Sequence, residues 1–263
     1  MKKEIWIETE KYEIPAVFVC PDIEERVPCV ILCHGTGSQK HEVGNMFGDL
    51  AEYLLEQGVA SIRFDFAGCG DSKARQQDLT FLGEVADVKN IFTYLCSREK
   101  IDSKRIGILG FSQGARVMAE VLKNLPSMKC AVSWSGACHN GFGIFKNLFG
   151  DYYDEAVENG MAVIPMDWRD DLVISKEWFE EIIATRPMEG FAGYKGPVFI
   201  AAGKEDTVVD YHHSEEIIKL CENESSVLKI YEKADHTYYA WSDNPAMKQQ
   251  VIRDTVQWIC QQI

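Results

Sequence analysis

No stretch of this 263-residue sequence approaches the ~20 consecutive apolar residues that a membrane-crossing helix needs. Basic residues are scarce: 27 Lys and Arg stand against 41 Asp and Glu, a formal net charge of −14. That balance excludes nucleic acid and anionic membrane surfaces as expected partners, since both select basic patches. Metal-ligand spacing is missing too, because none of the nine cysteines pairs at ligand distance with a histidine nearby. No metal or organic cofactor is expected. An odd cysteine count in a long chain, with Cys20, Cys29, Cys33, Cys130 and Cys260 in or beside apolar runs, also speaks against a disulfide framework. These thiols read as small core residues in a reducing compartment. The first residues, Met1 to Glu8, include two lysines but no apolar run of signal-peptide length. Internal repeats and low-complexity tracts are absent, and a cytoplasmic location is expected.

What is present is an ordinary globular balance, 46% hydrophobic and 26% charged, enough for a sizeable core. The length suits one large α/β domain with an insertion, or two small domains. Residues 3–9 and 14–20 alternate or run β-rich and suggest an antiparallel hairpin at a sheet edge. Residues 27–33 are almost continuously apolar, as a strand buried on both faces would be. Helices are predicted over 47–57, 80–97, 113–124 and 211–222, with strands over 59–66, 105–111, 129–135, 196–202 and 227–231. A last helix is expected with Asn244 as its cap and Pro245 in its first position. Residues 138–189 break this rhythm with many aromatics and no clear strand. Alternating strands and helices predict a mostly parallel sheet covered on both faces, with ligands at the carboxyl ends of its strands.

At one such end lies Gly110-Phe111-Ser112-Gln113-Gly114, with a strand before it and a helix directly after. Glycines there let the backbone turn sharply and lift the serine hydroxyl into the open; an ordinary helix cap is the plainer alternative. A serine hydroxyl needs a base. Of the six histidines, His236 sits just beyond the last strand, at the correct edge. His139, at the mouth of the insertion, is its strongest rival, while His34, His41, His212 and His213 are weaker candidates. An acid must orient the base, and Asp206 follows the strand at 196–202; Glu205, Asp210 and Asp235 are the alternatives. The backbone N–H groups of Thr36, in His34-Gly35-Thr36-Gly37, and of Gln113 are the expected oxyanion donors.

These segments, together with residues 63–72 and Asp206-Thr207-Val208-Val209, resemble the α/β-hydrolase family over nearly the whole chain. Within it the sequence is most similar to bacterial cinnamoyl and feruloyl esterases. The resemblance implies an α/β-hydrolase fold: an eight-stranded, mostly parallel sheet with helices on both faces. Residues 1–137 and 191–263 would form the core, and 138–190 a cap inserted after the sixth strand. It also implies Ser112 as nucleophile, His236 as base, Asp206 as acid, Thr36 and Gln113 as oxyanion hole, and largely structural roles for Asp65 and Asp71. Phe111 and Ala115 stand where related esterases often carry histidine and glycine.

The expected activity is hydrolysis of a small-molecule carboxylic ester through an acyl-enzyme, with water as second substrate. Cap aromatics, with Trp168, Tyr152 and Trp178 as candidate contacts, suggest an apolar or aromatic, cinnamoyl- or feruloyl-like group. Their alternative role is the cap's own core. A peptidase, amidase or thioesterase would use the same triad, and a non-catalytic binding protein on this fold would lack part of it. A homodimer stays open.

Overall fold

The computed structural model describes residues 1–125, 127–167 and 169–263. Ten strands and nine α-helices are found among them. The hairpin β1 (Lys2–Glu8) and β2 (Glu13–Val19) is followed by β3 (Val27–Cys33), α1 (Met46–Glu56) and β4 (Ala60–Phe64). Then come α2 (Phe81–Cys96), β5 (Ile101–Phe111), α3 (Gln113–Asn124) and β6 (Ala131–Trp134). An insertion holds α4 (Phe145–Phe149), α5 (Tyr153–Asn159), β7 (Met161–Ile164), β8 (Leu172–Ser175), α6 (Lys176–Ala184) and α7 (Pro187–Gly193). The chain closes with β9 (Val198–Gly203), α8 (His212–Ile218), β10 (Val227–Tyr231) and α9 (Ala246–Gln262).

Eight strands form one sheet in the order β1-β2-β4-β3-β5-β6-β9-β10. The β1–β2 and β2–β4 pairs are antiparallel and all others parallel. Strand periodicity explains how the sheet is covered. Cys29, Ile31 and Cys33 of β3, Ile106 and Ile108 of β5, and Val198 and Ile200 of β9 face a cluster with α2 and α3. Their neighbours Val30, Leu32, Leu109, Phe111, Phe199 and Ala201 face α1 and α9. Every central strand is therefore buried on both sides, which accounts for its continuous apolar run.

Register brings the strand ends to one edge: Cys33 pairs with Gly110, Phe111 with Trp134, and Trp134 with Ala201. The loops that leave this edge carry the candidate chemistry.

Two expectations need correction. The insertion does contain strands, an antiparallel β7–β8 hairpin, where none was legible. The last helix begins one residue later than expected: Pro245 takes the cap position, and Asn244 Oδ1 accepts the N–H of Ala246 at 3.1 Å. The insertion is not loosely attached. Phe145, Phe149, Trp178 and Phe179 belong to the same buried cluster as Phe81 and Val117 of the core. No helix among the described residues is long and apolar enough to cross a membrane.

Candidate active site

Ser112 occupies the bend between β5 and α3 with φ 52° and ψ −115°, a conformation that side-chain-bearing residues rarely adopt. Such strain costs about 1–3 kcal/mol and persists only where the surroundings impose it. Here the flanking glycines remove the obstacles. A Cβ on Gly110 would stand 2.3 Å from the Gly114 carbonyl, and one on Gly114 only 2.1 Å from the Cys33 oxygen. Helix α3 can thus start pressed against β3 and β5, and the Ser112 N–H donates to Trp134 O at 2.9 Å.

His236 lies in the loop between β10 and α9, its Nε2 3.1 Å from Ser112 Oγ and its Nδ1 2.8 Å from Asp206 Oδ2. The partners assign the tautomer: an ionised carboxylate can only accept, so Nδ1 carries the proton and Nε2 is left to receive the serine's. Asp206 has a side chain only 1% exposed, and its other oxygen accepts the N–H groups of Val208 and Val209 at 2.7 and 2.8 Å. Ser135, itself at φ 44°, places its Oγ 2.9 Å from the His236 carbonyl and so pins the histidine loop to the end of β6.

The alternatives for the acid have other duties. Asp235 Oδ1 accepts the N–H groups of Thr237 and Tyr239 in its own turn, Glu205 accepts from the Tyr239 hydroxyl, and Asp210 bonds His212. His34 is buried, donates from Nδ1 to Gly35 O at 2.8 Å and accepts the Phe66 N–H at Nε2. Burial pushes its pKa down, so it is a neutral structural residue. Asp65 and Asp71 both hold Lys40.

His139, the rival base, makes no bond to Ser112 among the described residues. It stacks on His213 instead, with ring centroids 3.4 Å apart and planes 13° from parallel. Burial first, and then His139, pushes His213 down to about 4 from the ordinary 6.5. A histidine depressed on folding contributes stability that is full above its unfolded value and lost as pH falls through its folded one. Stability is therefore expected to decline between pH ~6.5 and ~4. His213→Phe, which keeps a ring against His139, is expected to flatten that decline in urea titrations at neutral and acid pH. Equal slopes for the two proteins would contradict this assignment.

Thr36 and Gln113 are brought together across the nucleophile's bend. Thr36 Oγ1 donates to Gln113 Oε1 at 2.6 Å, and neither residue's backbone N–H has an acceptor among the described residues. The loop reaches close to the serine, since a Cβ on Gly35 would stand 3.5 Å from Ser112 Cβ. Two carboxyls that sequence reasoning missed support this arrangement. Glu42 accepts the Gly35 N–H and the Ser38 hydroxyl, both at 2.7 Å. Glu84 of α2 accepts the Gln113 Nε2–H at 2.5 Å. Burial raises the Glu84 carboxyl well above its usual value, opposed by that amide. Its signal was available: position 84 falls on the buried stripe of Phe81, Val85 and Val88, where a carboxyl needs a reason.

The cap aromatics divide. Trp178 is 1% exposed and packs against Phe145, Phe149 and Phe179, so it cannot present a face to substrate and is corrected here to a residue of the cap's own core. Short helices and a two-stranded hairpin have little else to bury. Tyr152 is half-buried against the same cluster. Trp168 lies outside the described residues. A cavity of about 300 Å³ is lined by Gly37, the residue after Thr36, with Gly70, Arg169, Asp170 and Trp241 among others. The Arg169 guanidinium donates to the Gly37 carbonyl, and Trp241 is 67% exposed.

This chain belongs to the alpha/beta hydrolase fold family, whose model matches residues 28–159, half of its length. Among curated relatives it is similar to an uncharacterised 31.7 kDa protein from the traX-finO intergenic region of Escherichia coli. The two are 29% identical over 120 residues, 46% of this chain and 41% of that protein. It is also 28% identical over 112 residues to the quorum-quenching protein AidA of Acinetobacter baumannii, 42% of this chain and 36% of that one. The chain thus spans about two fifths of the length of these two curated relatives. Among solved structures, Est1E from Butyrivibrio proteoclasticus with ferulic acid bound superposes with a TM-score of 0.78 at 20% identity, covering 98% of each chain.

Proposed function

We propose that the protein is a serine hydrolase that cleaves carboxylic esters through an acyl-enzyme, with an apolar or aromatic group beside the scissile bond. The observation that carries this reading is the relay from Ser112 Oγ through His236 to Asp206, at 3.1 and 2.8 Å, built on a strained bend. Ser112 attacks the carbonyl carbon while its proton passes to His236 Nε2. The charge that develops on His236 is held by Asp206, and the charge on the substrate oxygen by the N–H groups of Thr36 and Gln113. The intermediate collapses, His236 protonates the departing alcohol, and water then attacks the acyl-enzyme with His236 as base. The aromatic preference is supported by the exposed Trp241 on the neighbouring cavity and by the likeness to Est1E, which was solved with ferulic acid.

A fluorophosphonate probe is expected to label the wild-type protein at Ser112 and to leave Ser112→Ala unlabelled. Across p-nitrophenyl esters, feruloyl esters and aminoacyl anilides, the esters are expected to turn over faster. Preferential anilide cleavage would replace the esterase reading by an amidase one, and an unlabelled, inactive wild type would remove the enzymatic reading.

A further inference from the structure

We infer that Glu84 is a positioning residue of the oxyanion hole, holding Thr36 in place through the side-chain amide of Gln113. The inference rests on the serine-hydrolase reading above.

The loop that carries Thr36 is flexible by composition, with Gly35 before it and Gly37 after it at φ 61°. Chain with so little intrinsic preference must be held from outside if one of its N–H groups is to stay aimed at a single point. Glu42 holds the Gly35 and Ser38 ends of the loop. Thr36 itself is held by its hydroxyl, which donates to Gln113 Oε1 at 2.6 Å. The side chain of one expected oxyanion donor therefore grips the residue that supplies the other, which fixes the spacing of the two N–H groups.

A primary amide can present either its oxygen or its nitrogen to a neighbour, and a threonine hydroxyl accepts both faces. What holds the face shown here is Glu84, one oxygen of which accepts from Gln113 Nε2 at 2.5 Å in a side chain only 2% exposed. With the amide N–H turned toward this carboxyl, the amide oxygen must face Thr36, and the threonine must donate its one hydroxyl proton to it. Without the carboxyl, both amide orientations become open, and the tie to Thr36 loses its direction. The buried place of Glu84 on α2, itself tied to the start by the Thr80 cap at Gly83 N, makes it a rigid reference point.

The role is tested with p-nitrophenyl butyrate as substrate, following kcat and KM separately, with fluorophosphonate labelling in parallel. Removing a single oxyanion donor costs ~10²–10³ in kcat, and misaligning one is expected to cost at least ~10-fold. Glu84→Leu is thus expected to lower kcat ~10-fold or more, with KM within about threefold of wild type. Glu84→Gln keeps the size of the side chain but can offer either its carbonyl or its N–H to Gln113, so it does not select the face and is expected to recover only part of that loss. Thr36→Val keeps the backbone N–H but removes the hydroxyl, and is expected to lower kcat in the same way. Because both variants cut one tie, the Glu84→Leu/Thr36→Val pair is expected to be no slower than the poorer single variant.

Wild-type kcat in folded Glu84→Leu, a loss confined to KM, or losses that multiply in the double variant would overturn the inference while the wild type still labels and turns over. If Glu84→Leu does not fold, wild-type kcat in Thr36→Val overturns it alone. A wild type that neither labels nor hydrolyses removes the underlying reading, and this inference with it.

Discussion

Replacing His236 by alanine is expected to lower ester turnover by ~10³-fold or more, with little change in KM. At neutral pH an isolated serine hydroxyl is a weak nucleophile, and His236 Nε2, 3.1 Å away, is the one imidazole nitrogen hydrogen-bonded to Ser112 Oγ among the described residues. Asp206→Asn is expected to approach the same loss. Asparagine can offer an N–H to Nδ1, which would move the ring proton to Nε2 and leave no lone pair facing the serine. The aspartate's second oxygen also caps Val208 and Val209, so a modest loss of stability is expected alongside. His139→Ala provides the contrast, because its ring lies against His213 rather than Ser112. Its turnover is expected to stay within severalfold of wild type. An equal collapse at His139, or full activity without His236, would reassign the base. Initial rates at saturating ester, with fluorophosphonate labelling rates beside them, separate these outcomes.

The site was legible to the extent that it depends on strand ends. Residues 27–33 and 105–111 carry apolar runs too continuous for a surface strand, and both stop at glycine-bearing loops. Once such strands run parallel in one sheet, their exits share one edge, which places Ser112, Asp206 and His236 on the same side of the sheet; the loop after β10 must still carry His236 back across β9 and β6 to reach Ser112. Side-chain ties across elements were not legible. Gln113 was assigned a part through its backbone alone, yet its amide bridges Thr36, 77 residues away in sequence, and Glu84, 29 away. Those partners are set by how α2 and α3 pack, which no local pattern encodes.

The cap was illegible for a different reason. Met161-Ala162-Val163-Ile164 is a four-residue apolar run with Met161 and Val163 exposed, too short to be distinguished from a helical turn by periodicity. Trp178 looked like a ligand contact because a large aromatic in an irregular insertion offers contact area. Its neighbours Phe145, Phe149 and Phe179 claim that area first.

Gly114→Ala is expected to destabilise the protein more than any other single methyl added at the bend, by several kcal/mol, beyond the usual ~1–3 kcal/mol of overpacking. Its Cβ would lie 2.1 Å from Cys33 O and 2.6 Å from His34 O, both backbone atoms that no rotamer change can move aside. Relief requires α3 to lift away from β3, and Gly110 limits the direction, because it already faces the Gly114 carbonyl at contact distance. Whatever displacement does occur carries the Gln113 N–H with it and slackens the turn that holds Ser112 at φ 52°. Turnover and labelling are therefore expected to fall even in the fraction that folds, so activity per folded molecule drops along with stability. Gly193→Ala in α7 is the matched control: nothing lies within 4 Å of its added carbon, and its backbone is not left-handed. There, a neutral or slightly stabilising effect of ~0.5–1 kcal/mol is expected from reduced freedom of the unfolded chain. Urea denaturation of the two variants, normalised to active-site titration, reads both quantities at once. Wild-type stability and turnover in Gly114→Ala would mean that the close approach of α3 to β3 does not hold the nucleophile in its strained turn.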